Sequence, residues 1–186
     1  MKAGLDKQII LQTAAAMADE SGLASVTLKS LADRLGVKSP SLYKHINGLD
    51  ALNTELMLYG WMELEKVMTR AAVGKAKDDA IITICHAYRG FVAAHRGLFE
   101  AMQWYNMYLS PEHLKATEGI VAVLFQVLSA YDLTDDKKVH IVRTLRGFLQ
   151  GFSTIEVHGG YGNPIPVDET FNFALKTLLS GIRNLS

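Results

Sequence analysis

The chain has 186 residues, 49% of them apolar and 20% charged, which favours a globular fold with a sizeable core over disorder. Acids and bases balance at 19 each, so net charge implies no general affinity for nucleic acid and any such partner must be read from local pattern. The single cysteine, Cys85, excludes an internal disulfide and suits a reducing compartment.

The N-terminus, "MKAGLDKQIILQTAAAMADE", is interrupted by Asp6, Lys7 and Gln8 and lacks the uncharged apolar core of a secretory leader. Ile9, Ile10, Thr13, Ala14, Met17 and Ala18 instead recur at helical spacing, with Gly22 as a stop. Leu28, Leu31, Ala32 and Leu35 form a second stripe, with Thr27 as N-cap and Gly36 just past the end. Ser39 and Pro40 open a very short third helix, Ser39 as cap and Pro40 at the first helical position, and Asn47-Gly48 ends it.

A long helix runs from about Asp50 to Val73, with Leu52, Leu56, Tyr59, Met62 or Glu63, and Lys66 along one side. Another spans roughly Lys77 to His95, and "HRGLFEAMQWYNM" makes a shorter one. Ser110 and Pro111 start the next helix. Its apolar run, "GIVAVLFQVLSA", falls short of the ~18 residues of a membrane span. Thr134, Asp135 and Asp136 start a helix to about His158, "GGYGNPIP" is a loop, and Asp168 and Glu169 start a final helix through about Arg183. The expectation is an all-α, soluble cytoplasmic protein of about nine helices, divided into residues 1–48 and residues 49–186.

Helix, glycine turn, short helix is a helix-turn-helix pattern. Leu42 and Ile46 lie four apart and face inward, which leaves Lys38, Ser39, Pro40, Ser41, Tyr43, Lys44 and His45 mainly outside. No acid occurs between Val37 and Leu49, and a surface of Lys, Ser, Tyr and His without a carboxylate suits phosphates and base edges.

"TLKSLADRLGVKSPSLYKHI", preceded by "IILQTAAAMADESGLASV", resembles the N-terminal domain of tetracycline-repressor (TetR) family regulators, over roughly residues 5–56. The resemblance implies an operator-binding homodimer whose C-terminal domain senses a small molecule. It assigns DNA contact to Thr27, Lys29, Lys38, Ser39, Pro40, Ser41, Tyr43, Lys44 and His45, with the N-terminal end of the short helix nearest base edges. It also implies a phosphate-binding Lys where this chain has Leu49, so a weaker hold on the DNA backbone is expected. Residues 1–52 carry six bases against five acids. "LRGFLQGFSTIEVHGGYGNPIPVDETFNFALKTLLSGI" resembles the last two helices of a TetR subgroup with a Trp-His-Gly-type motif, though here that place reads Phe148-Leu149-Gln150-Gly151.

Gly147 and Gly151 share one helix face, and each interior glycine costs roughly 1 kcal/mol against alanine, so close helix approach should compensate. With Phe171, Leu175, Leu178 and Ile182 of the last helix they are candidates for a dimer interface; close packing within one subunit is the alternative. Trp61, His86, Met102, Tyr105, Phe125, Phe148 and Phe152 are candidates for an effector site, whose soft aromatic lining would suit an apolar or aromatic small molecule. For most of them ordinary core packing is the plainer reading.

No metal or other cofactor is expected. The six histidines form no i, i+4 pair, and Cys85 and His86, adjacent on a helix, point about 100° apart. An activator, or a regulator without a ligand, fits the same residues as well as a repressor. The alternative from another class is a helical enzyme, or a lipid- or small-molecule-binding protein, that keeps a vestigial DNA-binding domain.

Overall fold

The computed structural model describes residues 5–103 and 110–185. Within them the chain is all-α, with nine helices, one 3-10 turn at Leu23–Ser25 and no strand. The helices are α1 Lys7–Ser21, α2 Leu28–Leu35, α3 Ser39–Leu42, α4 Leu49–Ala72, α5 Lys77–Ala94, α6 Arg96–Met102, α7 Pro111–Leu128, α8 Asp135–Val157 and α9 Val167–Leu185. None of the described helices is long and apolar enough to cross a membrane. Tyr105, an effector-site candidate, lies outside the described residues.

Helix ends form where side chains satisfy the otherwise unpaired N–H groups. Asp6 caps α1 by accepting the Ile9 N–H at 2.8 Å. Thr27 and Ser30 form a reciprocal capping box on α2: Thr27 Oγ1 accepts the Ser30 N–H at 3.0 Å and Ser30 Oγ accepts the Thr27 N–H at 2.9 Å. Ser110 caps α7 and Thr134 caps α8, as their positions in the sequence predict. Gly36 takes the left-handed conformation, φ 66° and ψ 32°, that turns the chain out of α2.

Two helices depart from the sequence reading. The expected Pro40–His45 helix is a single turn, Ser39–Leu42, with Lys38 at the N-cap and no side-chain cap. Ser39 is itself helical, so its hydroxyl is not in the capping position and Pro40 sits second rather than first. On α4 the expected stripe through Tyr59, Met62 or Glu63, and Lys66 is not the buried one. Leu52, Leu56, Met57, Trp61, Leu64 and Met68 are buried, while Met62 is 44% exposed and Lys66 is exposed. At 100° per residue these positions turn the buried face by roughly 100° from the start of α4 to its end, opposite to the expected drift.

The chain divides into two compact units: Met1–Glu63 with Ala94–Thr117, and Leu64–Ala93 with Glu118–Ser186. The first contains α1 to α3, the first part of α4, α6 and the start of α7. It buries Ile10, Ala14, Leu31, Leu42, Ile46, Leu52, Leu98 and Met102. Leu28 and Leu35, at the ends of the α2 stripe, are only half-buried. The second unit buries Leu64, Ile84, Tyr88, Leu128, Leu145, Leu149, Phe171 and Leu175. There the Asp78 carboxylate accepts from the Tyr131 hydroxyl and pairs with Arg183, tying the start of α5 to the turn after α7 and the end of α9.

Cys85 is fully buried on α5, and burial pushes its thiol up to about 12. A thiol so shifted stays protonated near neutral pH, the reverse of what a nucleophile requires. Iodoacetamide at pH 8 should therefore leave Cys85 unmodified in the folded protein and alkylate it once guanidinium unfolds the chain; rapid labelling of the folded protein would show that the α5 core opens. Thr27→Ala should cost about 1 kcal/mol through loss of the α2 cap. It would register as a lower midpoint in a thermal melt followed by helical circular dichroism.

Candidate nucleic-acid interface

The helix-turn-helix is assembled from its buried side outward. Leu31 and Ala32 bury α2, the Val37 N–H bonds the Ala32 carbonyl at 3.0 Å across the Gly36 turn, and Leu42 and Ile46 are 0% and 2% exposed. The Leu42 carbonyl accepts both the His45 and the Ile46 N–H at 2.9 Å, so the chain leaves α3 through one further α-type turn that is not continued. With both anchors inward, Tyr43 is 57% exposed and Lys44 and His45 project to solvent. Pro40 and Lys38 are exposed as well, and Ser39 and Ser41 are half-buried.

The charges on this unit sort into two sets. Lys7 pairs with Glu55 at 2.6 Å and Arg34 with Glu20 at 2.8 Å. The side chains of Lys29, Lys38, Lys44 and His45 make no hydrogen bond or ion pair among the described residues. Within residues 5–52 the lysines left without a protein partner, Lys29, Lys38 and Lys44, are thus ones the sequence places on the DNA side. Thr27 differs from them, because its hydroxyl is occupied: it accepts the Ser30 N–H and donates to Ser30 Oγ at 3.0 Å. Its place is to set the start of α2. Leu49, where a lysine was expected, is 41% exposed at the first residue of α4.

The effector candidates fall into both units. Trp61 and Met102 belong to the first. Trp61 is 5% exposed and meets the His113 ring edge-on at 5.6 Å, and Met102 is fully buried against Gly60. His86, Phe125, Phe148 and Phe152 belong to the second. Phe148 stacks on Phe171 at 5.5 Å, Phe152 packs against both, and His86 meets Phe171 edge-on at 5.1 Å while its Nε2 lies 3.1 Å from Asn172 Oδ1.

Sequence reasoning missed the centre of this cluster. The Arg89 guanidinium lies over Phe171 at 4.8 Å and over Phe152 at 5.6 Å, and is held by Glu156 and Asp168. The Glu156 hydrogen bonds, ahead of the opposing effect of burial, hold that guanidinium firmly protonated. The available signal was its position, an arginine in the middle of α5 directly after the buried Tyr88. Phe125 is half-buried and joins none of these contacts. Three grooves in the second unit, of about 530, 620 and 220 Å³, are lined by none of the effector candidates. No group of three His, Cys, Asp or Glu side chains among the described residues is placed to hold a metal.

Of the interface candidates, Phe171, Leu175 and Ile182 are 0%, 2% and 4% exposed, and so belong to the core of their own unit; Leu178 is half-buried. The helical spacing of 171, 175 and 182 on α9 puts them inside and leaves Phe173, 72% exposed, outside. A methyl group added at Gly147 or Gly151 would meet nothing within 4 Å, and the same holds at Gly181. Close packing within one subunit therefore does not account for Gly147 and Gly151.

Comparison with known proteins agrees with this geometry. Residues 10–52 match the family described as bacterial regulatory proteins, tetR family, and residues 81–178 match the tetracyclin repressor-like C-terminal domain. The uncharacterized HTH-type transcriptional regulator YobS of Bacillus subtilis (strain 168) is 32% identical over 184 residues, covering 96% of this chain and 93% of that protein. Among solved structures, TetR-Q116A from Acinetobacter baumannii AYE in complex with minocycline superposes with TM-score 0.75 at 21% identity, covering 98% and 99% of the two chains. BioQ with its double-stranded DNA operator superposes with TM-score 0.70 at 22% identity, covering 97% and 99%. The helix-turn-helix, the matched domains and the full-length relative together place this chain in the TetR family of helix-turn-helix transcriptional regulators.

Proposed function

We propose that this protein is a non-enzymatic, cytoplasmic repressor that binds a near-palindromic DNA operator as a homodimer and leaves it when a small apolar or aromatic effector binds. Residues 1–48 form the DNA-reading part and residues 49–186 the effector and dimerisation part. The observation that carries the reading is the display of Tyr43, Lys44 and His45, with Lys29 and Lys38, on the open side of a helix-turn-helix anchored by Leu42 and Ile46. Two such surfaces related by a two-fold axis fit successive major grooves about one helical turn apart or somewhat more. BioQ bound to its operator and TetR-Q116A bound to minocycline support the two halves of the reading by analogy of fold.

The outward face of α8 and α9 suits the dimer. Gly147 and Gly151 on α8 and Gly181 on α9 leave open space where a second backbone fits closely, and Phe173 and Ile155, 72% and 45% exposed, would be covered by it. An effector would act by favouring a subunit arrangement whose recognition-helix spacing no longer fits the operator, with the long α4 as the link.

Selection from a pool of random duplexes at low salt should enrich a palindrome; an unenriched pool with no binding at all would sink the regulator reading. Tyr43→Ala with Lys44→Ala should abolish binding to that palindrome while leaving the dimer intact, and unchanged affinity would remove both residues from the interface. Phe173→Asp should give a monomer in sedimentation velocity; a dimer unaffected by a charge at that position would place the interface elsewhere.

A further inference from the structure

Helix α6 is too short to hold itself, and its N-terminus is capped from another helix. Its own N-cap residue, His95, makes no side-chain cap. Asp19, near the end of α1, takes that place: its Oδ1 accepts the Leu98 N–H at 2.9 Å and its Oδ2 lies 2.8 Å from His95 Nδ1. Leu98 is the third residue of α6, the position whose N–H a capping side chain ordinarily satisfies. A carboxylate at this end also complements the helix dipole. The two backbones touch beside the cap. A Cβ at Gly97 would stand 2.0 Å from the Ala18 carbonyl oxygen, so only glycine allows the approach.

The other end of α6 lies against α4. Met102 is fully buried, and a Cβ at Gly60 would stand 2.5 Å from its Cγ and 2.7 Å from its Sδ. All of Gly97, Leu98, Phe99, Ala101 and Met102 are buried. The helix is thus a packed strut, about 10 Å long at 1.5 Å per residue, between Met102 and the Asp19 cap. α1 in turn packs on α2, the first helix of the DNA-reading pair.

We propose that Asp19 is a positioning residue for operator binding: by capping α6 from α1 it makes α6 the strut through which a change at Met102 reaches the helix-turn-helix. The proposal rests on the regulator reading above and adds a route that does not run along α4. Asp19 touches no DNA in this scheme. It fixes where the first helix of the head sits, and Gly97 lets that helix come close enough to be fixed.

The test needs no effector, because Gly60→Ala crowds Met102 from within and stands in for an occupied site. With the full-length protein and the selected operator, Gly60→Ala should weaken binding about tenfold, whereas in an Asp19→Ala background the same change should cost less than about threefold. Asp19→Asn, which keeps an acceptor for the Leu98 N–H, should restore the full effect. The slope of log affinity against log salt should be the same in every variant, since no phosphate contact is altered. Equal effects of Gly60→Ala in the two backgrounds, or a changed salt slope, would overturn the proposal. Should Asp19→Ala not fold, hydrogen exchange decides: Gly60→Ala should lower protection in residues 96–102 and in residues 14–21 together, and loss in α6 with α1 unchanged sinks the idea. A wild-type protein that enriches no duplex removes the regulator reading instead, so the two failures are separable.

Discussion

A helix of one turn has no stability of its own, because nucleation fixes several residues before it gains a hydrogen bond. α3 is such a helix, Ser39–Leu42, and what holds it is the burial of Leu42 and Ile46 behind it. Every other feature of the head serves that anchoring. The capping box on Thr27 and Ser30 sets where α2 begins, and the left-handed Gly36 sets the angle at which the chain leaves it. With two apolar side chains inward and only a few residues between them, Tyr43, Lys44 and His45 have nowhere to point but out.

The same economy of length governs the charges. The chain as a whole is neutral and its head nearly so, which would leave a weak electrostatic hold on DNA if all the charges were equivalent. They are not. Lys7 and Arg34 pair with Glu55 and Glu20, while Lys29, Lys38 and Lys44 form no ion pair among the described residues. A small number of unpaired cations can steer a neutral protein onto a polyanion. Leu49 at the start of α4 adds nothing to that set.

In the second unit one half-buried cation organises the aromatic side chains. Arg89 bridges Glu156 at the end of α8 and Asp168 at the start of α9, with Phe152 and Phe171 against its faces. It ties together the two helices whose other faces carry the open glycines, and so holds the proposed partner surface in shape from behind. The inner and outer faces of α9 then divide cleanly: Phe171, Leu175 and Ile182 pack inward and Phe173 is left to solvent.

The chain's own residues determined the all-α class, the caps at Thr27, Ser110 and Thr134, the turn at Gly36 and the inward direction of Leu42 and Ile46. These are local properties: hydrogen-bonding side chains at helix starts, a backbone angle only glycine adopts freely, and apolar spacing at four residues. Tertiary structure decided the rest. Periodicity says that a helix has an apolar side and not how that side turns, so the buried face of α4 and the inner face of α9 came out differently from the sequence reading. The Arg89 bridge spans 67 residues to Glu156, and the Asp19 cap spans 79 residues to Leu98. No spacing rule reaches so far, because such contacts depend on where whole helices come to rest against one another.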